Sequence, residues 1–197
     1  MSSITRVGSS NAIAGILAII GGLVVVVTSV VPWADLSEIG LDPIRPSGIG
    51  VAYLHRSVYL GLGWVTLLLG IVIAGCGVAA VIGKGLVLPS LSTAAGAAAA
   101  VVLISGSVCL WPMRLTINAT ELGFPDADPT MGSPTPWIIL MLACGLLVAI
   151  TGLVGVVRAE DDARVLWAVA AVGVGAVLGV GMVGLAWWWF GPGAAAG

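Results

Sequence analysis

Residues Ser57–Trp111 read SVYLGLGWVTLLLGIVIAGCGVAAVIGKGLVLPSLSTAAGAAAAVVLISGSVCLW. Two apolar segments, Ser57–Ile82 and Leu88–Trp111, are separated by little more than Gly83-Lys84-Gly85, and neither contains a charged side chain. The first is 26 residues long. As a helix it measures about 39 Å, enough to cross a hydrocarbon core of roughly 30 Å with some tilt. No water reaches that core, so each backbone N–H and C=O must be satisfied within the segment, and the run is helical despite Val65, Ile71, Val72 and Ile73. Gly83 and Gly85 provide the backbone freedom that a tight reversal needs. The stretch is a transmembrane hairpin.

Three further apolar runs flank it. Ala12–Pro32 is too long for the apolar part of a secretory signal, and Pro32-Trp33-Ala34 makes a poor cleavage site, so it reads as an uncleaved span. Trp137–Val157 and Val165–Phe190 are the fourth and fifth. The fold class is therefore an all-α integral membrane protein, a single domain of five spans over residues 12–32, 57–82, 88–111, 137–157 and 165–190. Two loops, 33–56 and 112–136, share one side. Composition agrees: 59% of residues are apolar and 8% charged, and the mean hydropathy is +1.17. Soluble domains do not have this balance. No basic cluster is present, which argues against nucleic acid as a partner. Cys76, Cys109 and Cys144 lie in the spans, so no disulfide framework is expected.

Charge orients the chain. With the N-terminus inside, Arg6, Lys84, Arg158 and Arg164 fall on short inner segments, and Arg45, Arg56 and Arg114 are spread over the longer loops. The density of basic residues places the inner segments in the cytoplasm, the loops and C-terminus outside. Trp33, Trp111, Trp137 and the run Trp187-Trp188-Trp189 mark span ends on the loop side and are read as membrane-interface anchors. Within the second loop, Met113, Leu115, Ile117 and Ala119 alternate with Arg114, Thr116, Asn118 and Thr120. That period of two predicts a short β-strand, packed as a cap against Ile49, Val51 or Trp33. Around the second loop's end, Pro125 to Pro136 reads as irregular chain.

The spans contain no Asp, Glu, His, Lys or Arg. Coupled carriers place such groups in the membrane, and discontinuous transporter helices carry central breaks that these runs lack. What the spans do contain is small residues at four-residue spacing: Gly75, Ala79 and Gly83 in the second, Ser92, Gly96 and Ala100 in the third, Ala171, Gly175 and Gly179 in the fifth. Such faces let helix backbones approach closely, either within the chain or on a partner subunit. For the second and third spans internal packing is the simpler reading. The fifth is joined to the rest at one end only, so its small face has both options.

The loops offer little chemistry. Asp126 and Asp128 between Pro125 and Pro129 give too few ligands for a metal and read as a turn. His55 has no placed partner; an enzyme, if there were one, would use it with Asp35, Glu38 or Glu121. Asn118-Ala119-Thr120 matches a glycosylation acceptor, which matters only in a host that glycosylates. No catalytic, cofactor-binding or metal-binding residue is assigned, and no cofactor is expected. The size and the Ala/Gly/Val-heavy composition point to a bacterial plasma (inner) membrane. The expected partners are the lipid bilayer and other membrane protein subunits. The expected role is a non-catalytic accessory or assembly subunit of a larger complex. A small transporter or oligomeric channel is the alternative, and a membrane enzyme using the outer loops comes third.

Overall fold

The computed structural model describes residues 3–35, 51–54, 57–60, 62–82, 87–110, 133–157 and 162–190. Among the described residues are five helices: α1 (Ser3–Val30), α2 (Gly63–Ile82), α3 (Val87–Leu110), α4 (Pro136–Val157) and α5 (Asp162–Phe190). All five are long and apolar enough to cross a membrane, so the chain is a multi-pass membrane protein whose environment is a lipid bilayer. The start of α4 follows from local chemistry. Pro136 occupies the first helical position, where its missing N–H costs nothing and its fixed φ suits the helix. Pro89 is accommodated in the first turn of α3 for the same reason.

The second span is shorter than the sequence suggests. Residues Ser57–Leu60 form a strand, β3, paired antiparallel with β2 (Val51–Leu54), with Tyr53 opposite Val58 and Ala52 opposite Tyr59. Twenty residues remain in α2. They measure about 30 Å as a helix, already the thickness of the hydrocarbon core, so Ser57–Leu60 are free to leave it. Two other short segments pair: β1 (Ala34–Asp35) lies antiparallel to β4 (Ser133–Pro134). The alternating stretch Met113–Thr120 lies outside the described residues. Val51, one of the residues it was expected to pack against, is paired with Leu60 in the β2–β3 hairpin.

Helices α1 to α4 form an up-and-down ring in which each packs on its two neighbours, α4 closing back onto α1. Helix α5 stands outside the ring, docked on α3 and touching α4 only lightly. Helix α3 therefore serves three neighbours. Its tract Ala94–Ala100 explains how: small side chains let several backbones come close, and in lipid such close van der Waals packing is a main source of helix affinity. Leu91, Ala94, Ala95, Ala98, Val101 and Ile104 are fully buried there. The core continues through Val25, Ile73, Ile138, Met141 and Val148. A second cluster, Ala14, Ala80, Leu91, Val156 and Ala168, closes the end of the bundle where α2 passes into α3. That end is the turn side below; the opposite end, carrying both loops, is the loop side.

Most of α5 faces away from the protein, with Leu166, Trp167, Val174, Val177 and Leu178 exposed. Trp167, near the turn-side end of α5, is 74% exposed, as suits an aromatic residue at an interface.

Candidate functional site

The seams between helices are built from glycine, at two different spacings. On α1 the positions Gly15 and Gly22 are seven apart, as are Gly70 and Gly77 on α2. They meet antiparallel. A Cβ at Gly70 would lie 2.9 Å from the Gly22 carbonyl oxygen, and one at Gly77 would lie 2.7 Å from the Gly15 carbonyl oxygen. A seven-residue repeat keeps one seam facing its partner along a shallow crossing. The same spacing recurs on α4, where Gly145 sits over Ala98, Val101 and Val102, and Gly152 over Leu91 and Ala95. Helix α5 instead uses four-residue spacing. Gly175 rests directly on the Gly96 backbone, Ala171 lies against Gly96, and Gly179 contacts Ala100 and Leu103. Two of the small faces legible in the sequence, Ser92-Gly96-Ala100 and Ala171-Gly175-Gly179, are thus each other's partners. The fifth-span face is occupied by this chain's own third helix.

The small face proposed for the second span fares differently. Gly75 is exposed, and a Cβ there would meet nothing within 4 Å; Ala79 is half-buried, and Gly83 lies outside the described residues. The packed face of α2 is Gly63, Thr66, Gly70, Ile73, Gly77 and Ala80, on the other side of the helix. Four-residue spacing picked the wrong stripe because the seam with α1 is antiparallel and repeats every seven.

The tryptophans also separate into classes. Trp137 is 48% exposed at the loop-side end of α4, an anchor's position. Trp33, read from its span-end position as a membrane-interface anchor, is 4% exposed and belongs to the core. Its ring is drawn inward because Nε1 donates 2.8 Å to the Thr28 carbonyl, satisfying its one polar atom inside the protein. Trp64, at the start of α2, is 48% exposed and fills the rim position instead. Trp111 lies outside the described residues. Trp187, Trp188 and Trp189 are in the last turn of α5.

Beneath Trp33 lies a buried polar cluster. Ser29 Oγ and Thr66 Oγ1 are 2.7 Å apart across the α1–α2 seam. Each hydroxyl also approaches a carbonyl of its own helix, Ser29 that of Val25 at 2.7 Å and Thr66 that of Gly63 at 3.1 Å. Two protons serve three contacts, so one hydroxyl donates across the seam and the other accepts. Above it, the Thr135 hydroxyl donates 2.6 Å to the Pro32 carbonyl and the Thr135 N–H donates 3.0 Å to the Trp33 carbonyl. With the β1–β4 pairing, these bonds clasp the exit of α1 to the entry of α4.

Nothing in this cluster is a titratable base or an activated nucleophile. Among the described residues, every buried side-chain polar atom has a hydrogen-bond partner, and no group of three His, Cys, Asp or Glu could hold a metal. Asp35 is in β1; Glu38, His55, Asn118, Glu121, Asp126 and Asp128 lie outside the described residues. The arrangement fixes the backbones of α1, α2 and the entry of α4 against one another. Comparison with protein-family models, with curated proteins and with solved structures gives no match.

Proposed function

We propose that the protein is a non-catalytic accessory or assembly subunit of a larger complex in a bacterial plasma membrane. Its N-terminus and short turns are cytoplasmic and its two loops extracytoplasmic, following the density of basic residues. The observation that carries this reading is how the bundle interior is filled. Glycine backbones touch along α1–α2 and α3–α5, apolar side chains fill most of the rest of the described core, the buried hydroxyls there are hydrogen-bonded within the protein, and no span supplies an Asp, Glu, His, Lys or Arg. A protomer filled in this way offers a solute neither a polar path nor a charge to couple to. Its lipid-facing surface and its loops are what it has to offer, and both suit attachment to other membrane subunits.

The test is a deletion strain with quantitative proteomics of its membrane complexes. Deletion is expected to deplete the subunits of one complex. A variant with His55→Ala, Asp126→Ala and Asp128→Ala is expected to restore them, because it removes the loop groups best suited to catalysis and leaves the spans untouched. A deletion phenotype that this variant fails to rescue at normal abundance would replace the subunit reading with an enzyme.

A further inference from the structure

The ring divides into two halves by how extensively its helices pack: α1 on α2, and α3 on α4, more than either pair across to the other. Helices α1 and α2 are joined by the glycine repeat and the Ser29–Thr66 hydrogen bond. Helices α3, α4 and α5 are joined by close approach at Gly145, Gly152 and Gly175. Between the halves the contacts within the membrane are apolar side chains, Val25, Ile73, Ile104, Ile138 and Val148 among them, with Gly21 of α1 set close against Val148 of α4. Lipid tails are as apolar as these side chains, so such contacts are held by packing and not by exclusion of water. Among the described residues, the hydrogen bonds that cross from one half to the other all lie at one place. They are Thr135 Oγ1 to the Pro32 carbonyl, Thr135 N to the Trp33 carbonyl, and the Ala34–Asp35 pairing with Ser133–Pro134.

We infer that this clasp is a latch: it holds the two halves together on the loop side, and its release lets them part there while the turn side stays closed. The turn side is held by Ala14 and Ala80 from one half packed with Leu91 and Val156 from the other. The strands of the latch are the roots of the two loops, β1 opening the first and β4 ending the second. Whatever engages those loops therefore acts on the packing of the spans through Thr135 and Trp33. Trp33 sets the geometry, since its buried ring and the bond to Thr28 fix the carbonyl that Thr135 reaches. Parting by 10° about the turn side would move a helix end some 30 Å away by about 5 Å.

Spin labels report this directly, in the full chain in nanodiscs with Cys76, Cys109 and Cys144 replaced by Ala. One pair, Leu68→Cys and Ile139→Cys, reads the loop side across the halves; the other, Ile82→Cys and Val157→Cys, reads the turn side. All four positions are exposed. In the unmodified clasp both pairs should give one narrow distance. Thr135→Val, alone and combined with Ala34→Pro, should add a component about 5 Å longer to the first pair and leave the second unchanged. Thr135→Ser, which keeps the hydroxyl, should restore the single distance. An unchanged loop-side distance in the double variant would overturn the latch. So would a turn-side shift as large as the loop-side one, or a Thr135→Ser variant that behaves like Thr135→Val.

Discussion

Gly22→Ala and Gly75→Ala are the same chemical change in the middle of two apolar helices, and they should have opposite effects on stability. A methyl at Gly22 would lie 2.6 Å from the Ala74 N, 2.7 Å from the Gly70 carbonyl oxygen and 2.9 Å from the Ala74 Cβ. Backbone atoms cannot rotate aside. Reaching an ordinary contact near 3.4 Å therefore requires α1 and α2 to move apart by about 0.8 Å, enough to forfeit a quarter to a half of each van der Waals contact along the seam. Overpacking of this kind costs about 1–3 kcal/mol. At Gly75 a methyl would meet nothing within 4 Å. Alanine's better helix propensity, up to about 1 kcal/mol, benefits both variants and cancels in the comparison. Gly22→Ala should thus be less stable than Gly75→Ala by about 1–3 kcal/mol. Reversible unfolding in mixed micelles, or steric trapping in bicelles, measures the difference. Two variants agreeing within about 0.5 kcal/mol would mean that the seam is not packed backbone to backbone.

Across the same seam, a double-mutant cycle on Ser29→Ala and Thr66→Val should give a coupling of roughly 0.6 kcal/mol, at most about 1.7; zero coupling would say that the hydroxyls do not bond between helices. With the chain expressed as two pieces, 1–160 and 161–197, Gly179→Ile should abolish their association, since a Cβ there already lies 3.0 Å from Leu103 and 3.1 Å from Ala100. Gly181→Ile, at a position with nothing within 4 Å, should leave it intact, and equal behaviour of the two would place α5 elsewhere. For topology, cysteines at positions 84 and 161 should resist an impermeant thiol reagent in intact cells lacking the native cysteines. Labelling without permeabilisation would invert the orientation.

Five membrane-spanning helices were legible because hydrophobic length is a local property: about 20 apolar residues without charge admit one backbone solution in lipid. Segment ends were less so. Ser57–Leu60 is as apolar as the helix it precedes, and only its pairing with Val51–Leu54 takes it out of the span. The contact between α3 and α5 was visible on both sides, as Ser92-Gly96-Ala100 and Ala171-Gly175-Gly179, but composition alone did not say that the two faces belong together. The α1–α2 seam was missed although its signal is in the sequence. Gly15 and Gly22, then Gly63, Gly70 and Gly77, repeat every seven residues; a search at four-residue spacing passes over them and selects Gly75. Trp33 was read as an anchor for another reason: it lies at a span end, and whether its ring turns inward depends on a carbonyl within reach, here that of Thr28. Thr135 carries no sequence signal beyond preceding a proline, because its partners are a hundred residues away at Pro32 and Trp33.

The subunit reading is tested most directly by the mass of the particle that the protein occupies in its own membrane. Extraction with its native lipids into polymer-bounded discs, followed by native mass spectrometry, reads that mass without stripping weak partners. A non-catalytic subunit predicts a particle with other membrane polypeptides at fixed stoichiometry and little of the chain alone. A particle containing only this chain, as one copy or a symmetric ring, would contradict the account, and solute flux through it in liposomes would put an oligomeric channel in its place.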